Sequence, residues 1–533
     1  MGFKNGRPIM NKNTDLELIN KAFIKQEKYH YKWNEYERYY NAEHTKNRIR
    51  KLERLGRSRL FIPITRNIIN IIRSIFSTSF FSQGNPIELS VTRAGSNELM
   101  EHLNRVSDYY YKKLKPNKEL NKAFLSALTF GLGIVITYWN EKKEKVITTN
   151  IPITDVAFDW EACNIDDVEF IAYRFYESKR TIEDKFNTKF YNVAKAKKDV
   201  IGDDRRDKCK RYEVKEIVYT DTLEVKTYIN DTLVREDKFF QLPFQYGYAI
   251  DKLPSIDSEK RKDEILVYGQ AVTEFIKSLN DEINMKRNQK NDIQEEMINP
   301  SIIVPDRTQV NPSDLKKGAG KRIRAEGGTE GIMFLPTPPE YSINADLQML
   351  DKDISDASSV NSIQQGHTGA SDRRSANALA VVNANSSMRT EEMISLCNET
   401  LFEHWAKSWI RLIVKNAPDE VIDEITGAKQ PFGRLGERVE VEFDININFG
   451  MTIDKEKRIN DLIALLQIIA QNPNINPAII ERIFKEILTI RMGDSLNIEK
   501  LFNELKEEEA AQQMLEDAQK ADVEIEEFMG GGL

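Results

Sequence analysis

The spacing of apolar residues changes several times along the chain, and each change predicts an element. From Thr14 to Arg54, Leu18, Ala22, Tyr29, Trp33 and Tyr36 recur every three or four positions, which predicts one helix. Ile68–Phe81 predicts a second, apolar helix, turned by Gly84-Asn85-Pro86 into a strand over 87–92. Helices follow over 97–115, stopped by Pro116, and over 118–128. The period then drops toward two. Segments 131–139, 145–150, 156–160, 170–176, 214–220, 223–229 and 232–239 read as strands, with Asn230-Asp231 as a hairpin turn between the last two.

A longer pattern starts near Glu264. Tyr268, Val272, Phe275, Ile276, Leu279 and Ile283 form one apolar face. If Ile265–Ile298 is a single helix, it is roughly 50 Å long, suited to a strut or a wall. Within it, Met285–Asp292 is polar nearly all round, so hydration or a polar partner is required there in place of an apolar core. Asn299-Pro300 ends the helix, because proline lacks an amide hydrogen and disfavours helix in the residue before it. A short strand, Ser301–Pro305, leads to a loop over 311–325 that carries Lys316, Lys317, Lys321, Arg322 and Arg324 against one acid, Asp314. Taken alone, that loop reads as a solvated basic segment. It is no phosphate-binding loop, since Arg322 stands where Ser or Thr is needed and Leu315 where the first Gly belongs.

Helical spacing resumes over 342–364 with Leu347, Leu350, Ile354 and Ala357, and breaks at Gln364-Gln365-Gly366-His367-Thr368-Gly369-Ala370. From Ser371 helix returns. Its first half, 375–387, is made of small side chains, and its second half presents Met393, Cys397, Leu401, Trp405, Trp409, Leu412 and Ile413 on one face. Val439–Phe449 alternates strictly, as a half-buried strand does. Asp454–Ala470 and Asn476–Arg491 read as paired short helices, and Glu499–Glu527 holds eleven acids against three lysines, a net −8.

This order of parts resembles the portal proteins of tailed bacteriophages, the rings at one capsid vertex through which DNA passes. The Val267-Tyr268-Gly269-Gln270 helix start, the Met297-Ile298-Asn299-Pro300 exit and the segment from Gln364-Gln365-Gly366 to Ser375-Ala376 are similar to portals of short-tailed phages in particular. The resemblance runs from about Lys51 to Ile490. It implies an α+β portal fold that assembles as a cyclic ring, a homododecamer. Its parts here would be a wing with a mixed β-rich region (1–263), a first stem helix (264–298), a small strand-flanked clip (299–341) and a second stem helix (342–363). A channel loop (364–371), a long wing helix (372–417), return strands (418–453), a helical crown (454–498) and an acidic tail (499–533) complete it. The resemblance further implies a virion protein, assembled in the host cytoplasm, that passes double-stranded DNA during packaging and ejection. Its partners would be terminase, tail adaptor proteins and the major capsid protein or scaffold. Gln364, Gln365, Gly366, His367, Thr368 and Gly369 would then face DNA. Lys286, Arg287 and Lys290 would line the channel or a subunit interface, with Arg287 able to bridge instead to a neighbour's Asp292 or Glu295. Lys316, Lys317, Lys321, Arg322 and Arg324 would meet terminase, a tail adaptor or DNA.

Composition changes this picture little. The 533 residues carry 40% hydrophobic and 30% charged side chains, enough for two to four structural units. A formal net charge of −7 argues against a conventional DNA-binding protein but suits a conduit, because every cationic contact to phosphate adds grip. One local exception stands out: between Lys46 and Arg59, seven cations face a single acid, Glu53. That stretch reads as a solvated helix end, or as a contact for an acidic subunit or packaged DNA.

Cys163, Cys209 and Cys397 are too few and too scattered for a disulfide framework or a zinc site, and the protein is expected to live reduced. Leu60–Phe81 contains Pro63, Arg66 and Arg73, and Phe124–Trp139 is only sixteen residues long with two glycines; both are expected to be buried elements and not membrane spans. No catalytic motif converges: the five histidines are scattered, and Asp155, Asp159, Asp166 and Asp167 read as surface-loop carboxylates before a metal cluster. No cofactor is expected. Two other readings stay open, another virion adaptor of head or tail and a DNA-processing enzyme such as a terminase or nuclease.

Overall fold

Helix comes first in the chain and sheet second, as the change of period predicts. The structure is a computed structural model. It describes residues 12–81, 84–91, 97–186, 211–229, 231–257, 264–298, 302–305, 309–310, 325–326, 333–334, 341–358, 360, 388–418, 421, 425, 445–449, 462–466, 483 and 487. The chain divides into two compact units, one of Met1–Ser77 with Leu89–Phe449 and one of Thr78–Glu88 with Gly450–Leu533. In the second, 462–466 is helical and Ile487 is buried.

The chain opens with α1 (Lys12–Asn41), α2 (Lys46–Arg54) and α3 (Ile64–Phe81). The single helix expected over 14–54 is therefore two. Ala42 takes a left-handed backbone (φ +58°) and Thr45 starts α2 afresh, its hydroxyl accepting the Arg48 amide at 3.3 Å. Such a break is what a threonine cap favours over continued helix. It also turns the chain so that 57–63 runs back beside His44, whose ring meets Phe61 edge-on at 4.8 Å.

After β1 (Ile87–Val91) come α4 (Asn97–Leu114) and α5 (Asn117–Phe130). Two antiparallel sheets follow. One has three strands in the order β3 (Lys145–Asn150), β2 (Gly133–Asn140), β9 (Phe244–Gly247); the other has five, β4 (Val156–Phe158), β5 (Phe170–Ser178), β6 (Arg211–Tyr219), β7 (Glu224–Ile229) and β8 (Thr232–Lys238). The expected strands are all present, with ends moved by a few residues. Strand β9 is an addition: it pairs Ile136 with Phe244 through Gly133 with Gly247. Only four residues long and preceded by Pro243, it gives too short an alternation to be recognised. A further helix, α6, spans Lys179–Phe186.

Helix α1 lies on the five-stranded sheet. Ile19, Ala22 and Phe23 pack against Ala157, Phe170, Ala172, Ile217 and Tyr228. At its start Asp15 is buried, and burial of a carboxylate is tolerable only with donors around it. It has three: Lys226 Nζ at 2.8 Å, Tyr219 hydroxyl at 2.8 Å and Tyr228 hydroxyl at 3.3 Å. Burial alone would push the Lys226 ammonium down, but the Asp15 carboxylate holds it above its ordinary range. Further along α1, buried Gln26 donates to Ile153 O at 2.8 Å, Val156 O at 2.6 Å and the Tyr268 hydroxyl at 3.1 Å, tying helix, sheet and the later chain together.

Glycine permits the closest backbone approach in this unit. Gly131 ends α5 with φ +92°, and a Cβ there would sit 2.4 Å from Gly269 O. Gly269 is in turn wedged against Ile250 O and the Tyr248 side chain, both 2.5 Å from where its own Cβ would be. This stack holds Val267 and Tyr268 in the core, almost fully buried, while Gly269 and Gln270 are half-buried.

The helical stretch 388–416 is interrupted by a π turn, Asn398–Phe402, and continues as α9 (Glu403–Asn416). Its aromatic face is buried as expected: Trp405 and Trp409 are fully enclosed, and Trp405 Nε1 donates to Thr148 Oγ1 on β3 at 3.2 Å. The small-residue half, 371–387, lies outside the described residues. Of the strand expected over 439–449, Ile445–Phe449 is described and is strand (β14). Of the paired helices expected after it, only 462–466, 483 and 487 are described, and all are helical. Among the described residues, no helix is long and apolar enough to cross a membrane.

Candidate functional site

The long helix is shorter than its apolar pattern suggests. Helix α7 runs Val272–Ile298, about 40 Å, and Ile265–Ala271 is a buried turn instead. The reason is the glycine stack just described: Gln270 donates its amide to Ile250 O at 2.9 Å, a bond a helix starting at 265 would not leave available. The buried stripe also differs from the apolar one. It consists of Val272, Thr273, Ile276, Asn280, Ile283, Asn284 and Asn288, whereas Phe275 is exposed. Asparagine thus takes over from isoleucine partway along a single face.

What the asparagines touch is the extended strap 57–63 between α2 and α3. Asp292 Oδ1 accepts the Ser58 amide at 2.6 Å, Asn288 Oδ1 the Leu60 amide at 2.7 Å and Asn284 Oδ1 the Ile62 amide at 2.7 Å. Asn288 also donates to Leu60 O at 2.8 Å, so that peptide strand is held as by a sheet partner. The geometry follows from two repeat lengths. Four helical residues rise about 6 Å and two extended residues about 6.6 Å, so side chains at i, i+4 and i+8 meet every second amide of a strand running alongside. The other side of this stretch, with Met285, Arg287 and Gln289, is exposed.

The polar partner that the sequence demands for 285–292 is therefore supplied by the same chain. The exposed side of this stretch, with Met285, Arg287 and Gln289, is left to solvent or to another chain. Asp292, one of the two acids expected to meet a neighbour's Arg287, accepts the Ser58 amide through Oδ1.

The first half of α7 is held differently, by α1. Lys277 pairs with Glu35 at 3.2 Å, Lys32 with Glu274 at 3.9 Å, and the Tyr39 hydroxyl donates to Asp281 at 2.6 Å. Burial first, and then that bond, raise the Tyr39 phenol well above its ordinary range. Beyond α7 the chain forms two nested antiparallel ladders. Outer β10 (Ile302–Ile303) pairs with β13 (Met333–Phe334), and inner β11 (Gln309–Val310) with β12 (Ala325–Glu326). The inner ladder closes at Val310 and Ala325, so the basic loop is bracketed by this double hairpin. Helix α8 (Tyr341–Ser358) then returns beside α7 with Leu347, Leu350 and Ile354 buried.

Of the residues singled out in the sequence, Lys286 bonds Asp346 of α8 at 2.7 Å, and this bond raises its ammonium above the ordinary range. It joins the two helices of one chain. Arg287 is exposed and Lys290 half-buried. Lys316, Lys317, Lys321, Arg322 and Arg324, and Gln364 to Gly369, lie outside the described residues. Asp159 and Asp167 are used locally, accepting from the Glu161 amide at 3.0 Å and the Asn164 side chain at 3.2 Å. Among the described residues, no three metal-binding side chains gather. Cys163 is exposed and Cys397 buried, both as free thiols. The asparagine ladder escaped the sequence reading, although Asn280, Asn284, Asn288 and Asp292 at spacing four were the available signal.

Residues 267–529 match the family model described as phage SU10 portal protein. The match begins at the buried turn before α7 and takes in α7, the double hairpin, α8, α9 and β14. None of the curated proteins matches the chain.

Proposed function

Over residues 267–529 this is a phage portal protein, of the kind short-tailed phages carry, and from that premise we propose that twelve copies close into a ring at one capsid vertex. As a portal it is a structural component of the virion. The ring would be the channel for double-stranded DNA during packaging and ejection, and the docking site for terminase, tail adaptors and the capsid shell or scaffold.

The observation that carries this reading is the pair of long helices α7 and α8 joined through a narrow double hairpin. A two-residue ladder stacked on another contributes little core of its own, so this projection gains stability when side-by-side copies pack around it. In the proposed assignment, α7 and α8 are stem helices and the double hairpin is the clip. Its basic residues 316–324 would meet terminase or an adaptor, and Gln364 to Gly369 would form the channel loop. Arg287 is the stem cation with the freest access to a neighbour or to the bore. Lys286 serves the pairing of stem helices within one copy.

Native mass spectrometry and negative-stain imaging of the purified protein test the assembly, with a closed ring of about a dozen copies expected. Monomers under every condition tried would refute it. Deleting Gln365–Gly369 should leave the ring intact and impair DNA packaging or retention. Normal packaging by that deletion would remove the loop assignment while leaving the ring.

A further inference from the structure

Helix α2 is a region of dense positive charge that the portal reading leaves unused. None of its nine residues is buried, although it sits between two fixed points. Thr45 caps its start, and the strap that follows it is bonded to α7 at Asp292, Asn288 and Asn284. It is thus held rigidly and yet exposed on most of its circumference.

Its side chains are sorted by face. Ile49 and Leu52 are half-buried and lie together. Lys46, Arg50 and Arg54, at i, i+4 and i+8, form a single exposed row with about 6 Å between successive positions, and Arg48 and Lys51 extend the cationic surface beyond it. Arg59 is paired with Glu53, the only acid in the stretch. Among the described residues no hydrogen bond or ion pair occupies the Lys46, Arg48, Arg50, Lys51 or Arg54 charge. Five like charges on nine residues repel one another and are costly unless something anionic answers them.

We infer that α2 is a docking surface for the phosphate backbone of double-stranded DNA. The choice of DNA over an acidic protein rests on what the surface lacks. Protein interfaces bury apolar or aromatic anchors and are depleted of lysine at their centre, whereas DNA interfaces are polar and strongly cationic. The exposed side chains of α2 itself are five cations, Asn47 and Glu53, with no aromatic or apolar residue among them; the nearest exposed apolar side chain is Leu55, just past its end. A row of fixed cations also grips a duplex, where an uncharged loop would let it slide, so this surface suits DNA at rest against the protein.

The test is fluorescence anisotropy of the purified full-length protein with a labelled duplex of about 30 base pairs, titrated at several salt concentrations. Replacing Arg48, Arg50 and Arg54 together by alanine should lower the slope of log affinity against log salt by about 2 to 3, since each phosphate contact contributes about 0.9. The same three replaced by lysine should keep the slope. Lys46→Gln with Lys51→Gln, a gentler change that guards against misfolding, should lower it by about 2. An unchanged slope in both neutralised proteins overturns the inference, as does an intact protein that fails to bind the duplex at low salt. So does loss of binding to poly-glutamate with DNA binding kept, which would point to an acidic protein. Loss of the slope only on neutralising Lys316, Lys317 and Lys321 would move the grip to the other basic segment. Ring formation, followed in the same samples, does not depend on any of these results.

Discussion

The two halves of α7 share one helix and one buried face but are secured by different chemistry. Val272–Ile283 buries Val272, Ile276 and Ile283, packs beside α1 and adds ion pairs at its margin. Asn284–Asp292 buries amides and spends them on the backbone of a strap. Side-chain volume sets the first half, and the match between helix and strand repeats sets the second. A helix can therefore leave its hydrophobic pattern without leaving the protein, provided the polar side chains recur every four residues and an extended segment runs beside them.

The comparison breaks most severely at the entry to the first half. Gly131→Ala should destabilise by about 3 kcal/mol or more, because the residue needs a left-handed backbone and its Cβ would overlap Gly269 O. Denaturant unfolding measures it, and a loss under about 1 kcal/mol would show that the stack before α7 relaxes easily.

In the second half, Asn288→Ala removes both bonds to Leu60 and should cost about 2 kcal/mol. The Leu60 amide should also exchange with deuterium sooner than the amides of α1. Asn280 sharpens the contrast. It lies on the same row, fully buried, with no partner for either amide atom among the described residues, so Asn280→Leu should be neutral or stabilising by about 1 kcal/mol. If Asn280→Leu proved as damaging as Asn288→Ala, the ladder would extend one step further than the geometry indicates.

The smallest effect concerns pH. Burial lowers the His44 imidazole below its ordinary value, partly offset by its contact with Leu60 O. The unfolded chain then binds a proton more readily than the folded one, so this contribution is complete above about pH 6.5 and is lost as pH falls through the lowered value. His44→Gln should therefore narrow the stability gap to the unaltered protein as pH drops from 7.5 to 5. A gap that stays constant would mean the ring does not titrate differently on folding.

The same contrast explains what could be read in advance. Where burial is apolar, spacing sufficed: α3, α5, the strands β2 to β8 and the Trp405–Trp409 face lie where periodicity places them. Periodicity misjudged positions governed by contacts distant in sequence. It began α7 seven residues too early, because Ile265–Ala271 is apolar for the sake of a core it shares with Leu132, Phe158 and Trp33. It joined α1 to α2, because the need to fold the strap back along α7 is not visible around Ala42. The bond from Lys286 to Asp346, sixty residues away, is another contact that spacing does not reveal.

By itself the sequence determined the order of elements and the two-residue and four-residue rhythms of burial, since these depend on local spacing, and that order of parts carries its resemblance to portals. Tertiary structure alone decided which polar residues are inside. A hydrophobic side chain is buried by its own aversion to water, whereas an asparagine is buried only where a particular donor and acceptor, here Leu60 more than two hundred residues away, arrive to replace that water.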